Sequence, residues 1–318
     1  MSERSGRAPA IGVLGGGKFG WGLADAAARG GRDVLLWSRR PQRQGSGSIT
    51  VTQTLADLAA AELIFVAVPS PFVAELAGEL GGRLDGQHFL VHVSRGVVGE
   101  HLETLTAVLR RETPCRRIGA LAGPLVAEAL SAGAPGGGVI GTRFPEVRDA
   151  VRDAIGGPTL RIYSTDDVVG VELGSTLVGL LSLILGYGLE LGMGPATLSM
   201  MATRGLAEAT RIGVSLGARA DTFHGLAGVG DLLAAFAGDG RPELAVGRKL
   251  ARGVSASEAG HDAGAFIEGM AVARRVASHI ERAGLVAPLL HLTADVLEGR
   301  LRSEAMVASL MARQVGDE

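Results

Sequence analysis

Cysteine occurs once, at Cys115, in a chain of 318 residues. No internal disulfide can form, and no thiolate metal site is suggested; no metal of any kind is expected. Lysine is almost as scarce. Lys18 and Lys249 are the only two, so nearly all the positive charge is arginine. Any chemistry that needs a titratable amine has two places to look. Net charge is missing too: the formal value is -2, which gives no electrostatic reason to expect nucleic acid as a partner. The stretch Met1 to Pro9 is polar and lacks the apolar core of a signal peptide, so a cytoplasmic protein is expected.

What is present is an ordinary globular composition, 47% hydrophobic and 20% charged, in a chain long enough for two domains with full cores. The longest apolar run, Leu173 to Leu189, follows the acids Asp166 and Asp167, which suit the positive end of a helix dipole. A helix apolar all round is buried, in a protein or in a membrane. About 17 residues is the lower limit for crossing a bilayer. This run is split by Gly174, Gly179, Gly186 and Gly188 and closed by Glu172 and Glu190. It reads as a buried central helix, and no membrane partner is expected.

Before that helix the chain reads as strands alternating with helices. Ala10 to Leu14 leads into Gly15-Gly16-Gly17-Lys18-Phe19-Gly20 and then a helical pattern, Trp21 to Arg29. Strand, glycine turn and helix form the context in which G-x-G-x-x-G points to a dinucleotide. The first glycine makes the tight turn, the second lets a pyrophosphate reach the backbone, and the third lets helix pack on strand. The phosphates then sit on the helix N-terminus. The second strand, Asp33 to Trp37, ends in Ser38-Arg39-Arg40. An acid there would hold the ribose 2′-hydroxyl of NAD. None is present, and two guanidiniums can bind a 2′-phosphate instead. NADP is expected ahead of NAD.

Pro41 to Ser48 reads as a polar loop. Further strands are expected at Leu63–Val68, Phe89–Val93, Ile118–Leu121, Gly138–Gly141 and Arg161–Ser164. Pro69-Ser70, Ser94-Arg95-Gly96 and Gly123-Pro124 fall at carboxyl ends of strands, where open α/β sheets bind ligands. From Asp167 onward the reading is helical. Pro195 opens one helix that carries Thr203-Arg204-Gly205, and later helices centre on Glu268-Gly269 and on Leu289 to Glu298. The fold class is α/β, a doubly wound domain over 1–164 followed by a helical domain over 165–318.

These motifs together resemble those of bacterial NAD(P)-dependent glycerol-3-phosphate dehydrogenase, over nearly the whole chain. The matching residues are the glycine turn, Val68-Pro69-Ser70, Ser94-Arg95-Gly96 and Ala122-Gly123-Pro124. Further on they are Asp167 with Gly170-Val171-Glu172-Leu173-Gly174, Thr203-Arg204-Gly205, Thr222-Phe223 with Gly225-Leu226-Ala227-Gly228, Gly230-Asp231, and Glu268-Gly269. The resemblance implies a Rossmann-type N-terminal domain and a C-terminal domain of the 6-phosphogluconate-dehydrogenase type. It also implies hydride exchange between NAD(P)H and dihydroxyacetone phosphate. By motif and resemblance the cofactor residues are Gly15, Gly17, Lys18, Phe19, Gly20, Arg39, Arg40, Arg95, Ala127, Arg241 and Glu268. The substrate residues are Arg95, Gly123, Asp231 and Arg241, with Asp231 and Arg95 as the catalytic candidates.

The departures lie on the substrate side. The family has a catalytic lysine followed by asparagine in the central helix; here the pair is Val178-Gly179. The family's second lysine is Arg95, its Ser-Gly-Pro-Ser/Thr loop is Ala122-Gly123-Pro124-Leu125, and its Arg-Asn clamp corresponds to Arg241-Pro242. Hydride attack on a carbonyl creates an oxygen that needs a proton. Valine cannot supply one, and arginine stays protonated, so Arg95 suits an oxyanion better than it suits acid catalysis. His224 is a titratable newcomer near Asp231 in sequence. Arg95 and Arg241, with no evident acid partner, suit an anionic substrate. Three functions stay open: a reductase of the family's own substrate, a reductase of another carbonyl or an imine, and a non-catalytic NADP-binding protein. The long apolar second half makes a homodimer the expected assembly.

Overall fold

The computed structural model describes residues 11–237, 241–262 and 268–300. Contacts divide the chain into two units. The first comprises the chain up to Ser94 together with Thr104–Val171; the second comprises Arg95–Glu103 and the chain from Glu172 onward. A short excursion of the first half of the chain thus joins the second unit. Arginine side chains hold that excursion: Arg275 donates to the Val97 carbonyl at 2.9 Å and Arg282 to the Glu100 carbonyl at 2.5 Å.

The first unit is built on an eight-stranded sheet in the order β3-β2-β1-β4-β5-β6-β7-β8. In chain order its elements are β1 (Ile11–Leu14), α1 (Lys18–Arg29), β2 (Val34–Trp37), β3 (Ile49–Thr52), β4 (Leu63–Val66), α2 (Val73–Gly81) and β5 (Phe89–His92). Then come α3 (Leu105–Glu112), β6 (Ile118–Ala122), α4 (Ala127–Ala132), β7 (Gly136–Gly141), α5 (Pro145–Ile155) and β8 (Leu160–Thr165). β1 to β6 are parallel, whereas β7 runs antiparallel to β6 and carries β8 parallel to itself. The strand order reverses beside β1, which places the switch point at the carboxyl ends of β1 and β4. β1, β2, β4 and β5 are buried along their whole length, the pattern of strands covered on both faces. One face is a single apolar cluster in which Val13, Leu36, Phe65 and Val91 meet Leu23 and Ala27 of α1 and Val147 and Val151 of α5.

β3 is a strand that the sequence reading passes over. It lies at the sheet edge, and only Ile49 of Ile-Thr-Val-Thr is buried, so its apolar signal is weak.

The second unit is helical. Its elements are α6 (Val168–Glu190), which begins in the first unit, α7 (Pro195–Ser215), α8 (Ala220–His224), α9 (Asp231–Phe236), α10 (Pro242–Ala251), α11 (Ala256–Asp262), α12 (Glu268–Ala283) and α13 (Pro288–Leu297). The α6 start is capped by Asp167, whose Oδ1 accepts from the Gly170 amide at 3.0 Å. α6 is long and apolar enough to cross a membrane, but 89% of its most apolar window is buried inside the protein. α12 is described from Glu268 onward, and the residues just before it lie outside the described ones. The start of α13 is held by the buried Glu208 of α7, which accepts from the Leu289 and Leu290 amides at 2.8 and 3.0 Å.

Candidate active site

The glycine turn of the first unit is fixed by backbone sterics. Gly15 has φ of +128°, a region that favours glycine, and a Cβ there would stand 2.5 Å from the Ala67 carbonyl oxygen at the end of β4. At Gly20 a Cβ would collide with the Gly15 carbonyl oxygen. Gly17 is the opposite case: a Cβ there would meet nothing within 4 Å. It is also the N-cap of α1, with no side-chain cap and no acid in the first turn. The first amides of α1 thus face an open space at the positive end of the helix, which suits phosphate oxygens. Lys18 is exposed and makes a surface ion pair with Glu128 at 3.5 Å, worth little by itself. Phe19 packs on the apolar cluster of this unit.

Past β2, Ser38 is buried while Arg39 and Arg40 are exposed. The Arg39 guanidinium rides over the Phe72 ring at 5.4 Å. Neither arginine has a carboxylate partner among the described residues. At the other strand ends, the Ser94 hydroxyl donates to the Val68 carbonyl at 2.6 Å, and Gly123 turns with φ of +105°. Leu125, where the family has a hydroxyl, is turned into the apolar cluster. Ala127 begins α4, and its carbonyl oxygen would lie 2.9 Å from a Cβ on Gly22 of α1. Gly22 lets these two helices touch.

In the second unit the polar centre is built where α9 and α10 begin. The Thr222–Asp231 motif folds as α8, one π-helical turn over Leu226–Gly230, and the start of α9. π-helical turns are rare and are frequently found at functional sites. A Cβ on Gly174 of α6 would stand 3.0 Å from the Ala227 carbonyl, so this turn lies directly on α6. α10 approaches α6 just as closely. A Cβ on Gly186 would collide with the Leu244 carbonyl, and one on Gly247 with the Leu183 carbonyl. These backbone contacts fix the first turn of α10 beside the middle of α6.

Asp231 is fully buried, and Arg241 is 4% exposed. The Asp231 Oδ1 forms an ion pair with Arg241 Nη2 and lies 3.7 Å from Arg95 Nη2. Arg241 Nη2 also donates to the Asp231 carbonyl at 3.3 Å. Arg95 and Arg241 are therefore not without an acid, as the sequence suggests; Asp231 serves both. The reason is that Arg241, the residue before α10, lies against Asp231, the first residue of α9. Among the described residues Asp231 Oδ1 is held by these ion pairs alone, and Asp231 Oδ2, Arg241 Nη1 and Glu243 Oε2 also have no hydrogen-bond partner.

Val178 is fully buried in α6, and its carbonyl accepts from the Ser182 hydroxyl at 2.8 Å. The next residue, Gly179, faces Glu243: a Cβ there would lie 3.8 Å from Glu243 Oε1. Sequence reasoning misses Glu243. It follows Pro242 in the first turn of α10, where an acid is ordinarily read as complementing the helix dipole. His224 is exposed, as are Thr203 and Arg204 on α7, and Lys249 is half-buried. The Glu268 side chain lies outside the described residues.

The chain is similar to known proteins along almost its whole length. Residues 41–147 match the family model described as NAD-dependent glycerol-3-phosphate dehydrogenase N-terminus, and residues 167–308 match the corresponding C-terminus model. Glycerol-3-phosphate dehydrogenase [NAD(P)+] of Azotobacter vinelandii is 34% identical, over 94% of this chain and 93% of its own. The protein of the same name from Ectopseudomonas mendocina is 36% identical, over 95% of this chain and 94% of its own. The crystal structure of glycerol-3-phosphate dehydrogenase from Coxiella burnetii shares the fold, with a TM-score of 0.90 at 24% identity, covering 96% of this chain and 99% of that one.

Proposed function

The chain belongs to the NAD-dependent glycerol-3-phosphate dehydrogenase family, and on that premise we propose that it reduces dihydroxyacetone phosphate, or a closely related small anionic carbonyl compound, with NADPH. The observation that carries the choice of substrate is Arg241 Nη1, a buried charged donor with no acceptor among the described residues. Such a group is costly unless something supplies the acceptor, and a ligand phosphate oxygen does so.

The first unit fits a dinucleotide. Gly15, Gly17 and Gly20 with Lys18 and Phe19 would hold the pyrophosphate, in the space that a Cβ at position 17 would fill. Arg39 and Arg40 would take the 2′-phosphate, and Ala127 and Glu268 complete the cofactor set. When bound, NADPH supplies the hydride. Arg95 and Arg241 would hold the substrate anion and the developing oxyanion, with Asp231 orienting both guanidiniums; Gly123 belongs to the substrate set. Arg95 and Arg241 are assigned to cofactor contacts as well. NADP is preferred to NAD, the protein is cytoplasmic, and it assembles as a homodimer.

The same site favours a second reading on one observation. Asp231 Oδ2 and Glu243 Oε2 are both acceptors with no donor among the described residues, which a substrate bearing an amine or imine hydrogen would satisfy. The deciding experiment is the initial rate of NADPH oxidation with dihydroxyacetone phosphate, against background, beside a panel of other carbonyl and imine compounds. A saturable rate on dihydroxyacetone phosphate supports the first reading. A rate on an imine alone moves the protein to the second. Background rates throughout, with NADPH still bound, remove both.

A further inference from the structure

Glu243 is 5% exposed, and one of its carboxyl oxygens has no hydrogen-bond partner among the described residues. Burying a carboxyl oxygen without a partner costs free energy, so packing alone does not account for the residue. Its neighbour does. Glu243 faces Gly179, with Oε1 3.8 Å and Cγ 4.0 Å from where a Cβ would stand. Positions 178 and 179 are where the family resemblance places the lysine and asparagine. Here α6 offers a valine and no side chain at all, and the chain contains no asparagine anywhere. The space opposite Gly179 is filled from α10 instead, by an acid.

We propose that Glu243 is the acid–base residue of this enzyme, doing from α10 what lysine does from α6 in the family. The proposal rests on the reductase reading above. In the forward direction the carbonyl carbon would gain a C–H bond by accepting the hydride that NADPH, when bound, would supply on its oxidation to NADP⁺. The π electron pair of the C=O bond moves onto oxygen. The O–H bond of the protonated Glu243 carboxyl breaks as a new O–H bond forms on that oxygen, leaving an alcohol and the Glu243 carboxylate. A solvent proton restores the acid. In the reverse direction the carboxylate takes the proton of the alcohol.

Arg241 Nη1 and Asp231 Oδ2 are also buried without a hydrogen-bond partner among the described residues. A phosphorylated α-hydroxy carbonyl compound carries an acceptor for the first, a donor for the second and a carbonyl oxygen for the Glu243 acid.

The test compares steady-state kinetics of the unmodified protein, Glu243→Gln and Glu243→Ala with dihydroxyacetone phosphate and NADPH. Glu243→Gln keeps the shape and removes the proton, so kcat should fall at least about tenfold, with NADPH affinity and melting temperature close to those of the unmodified protein. Added formate should restore rate to Glu243→Ala and leave the unmodified protein unchanged. Equal kcat in the unmodified protein and Glu243→Gln overturns the role of Glu243 and leaves the reductase reading standing. If Glu243→Gln does not fold, failure of formate to rescue Glu243→Ala overturns it. Background turnover in the unmodified protein sinks the reductase reading, and this proposal with it.

Discussion

The glycine turn of the first unit and the Arg95–Asp231–Arg241 cluster of the second are specified in different ways. The turn is a backbone object. Gly15 and Gly20 are required because carbonyl oxygens stand where their Cβ atoms would be, and the six residues that make it are consecutive. The cluster is a side-chain object. Its members come from positions 95, 231 and 241, brought together by the π-helical turn on α6 and the return of the chain at α10. A backbone site can be lost in one substitution but is hard to remodel. A side-chain site can be rebuilt by exchanging its members, and here Val178 stands where the family resemblance places a lysine.

That contrast can be broken most severely at Asp231. Asp231→Ala leaves two guanidiniums around an empty place, one of them buried, and should cost about 3–5 kcal/mol of stability. Chemical denaturation followed by a probe in each unit would show the loss in the second unit. A loss below 1 kcal/mol would mean that Arg241 finds water or another acid. The next effect belongs to the first unit. Replacing Arg39 and Arg40 by serine should remove about 1.5–3 kcal/mol of charge-assisted binding to the 2′-phosphate. Fluorescence titration should then show NADPH weakened about tenfold or more, with NADH unchanged. Equal weakening of both cofactors would place the two arginines elsewhere on the dinucleotide. The smallest effect separates two glycines of one turn. Gly20→Ala meets a backbone oxygen and should destabilise by about 1–3 kcal/mol. Gly17→Ala enters open space and should leave the melting temperature nearly unchanged while weakening NADPH. Equal melting temperatures for the two variants would contradict the geometry of the turn.

The same contrast explains what the sequence discloses. The doubly wound sheet is legible because buried parallel strands are short apolar runs, each closed by a turn signal. α6 is legible because it is apolar on every side. β3 is not, since an edge strand with one buried residue has almost no apolar signature. The reversal of β7 is not legible either, because strand direction leaves no mark on a run as short as Gly136–Gly141. Nor is the union of Arg95–Glu103 with the second unit, which depends on arginines nearly two hundred positions away in sequence. In the site, the loss of lysine at 178 can be read from the family pattern. The pairing of both arginines with Asp231 cannot, and neither can the burial of Glu243 against Gly179. Both are consequences of helix packing that no local spacing encodes.

The central claim is that the chemistry has left position 178 while the cofactor unit has kept its design. The most direct measurement restores the pair, by Val178→Lys with Gly179→Asn, and follows kcat for dihydroxyacetone phosphate and the NADPH dissociation constant in parallel. A positioned acid is worth about 10²–10⁴ in rate, part of which Glu243 already supplies. The folded double variant should therefore turn over at least about tenfold faster, with NADPH affinity unchanged. No gain from the restored pair, together with an unchanged kcat in Glu243→Gln, would contradict the account.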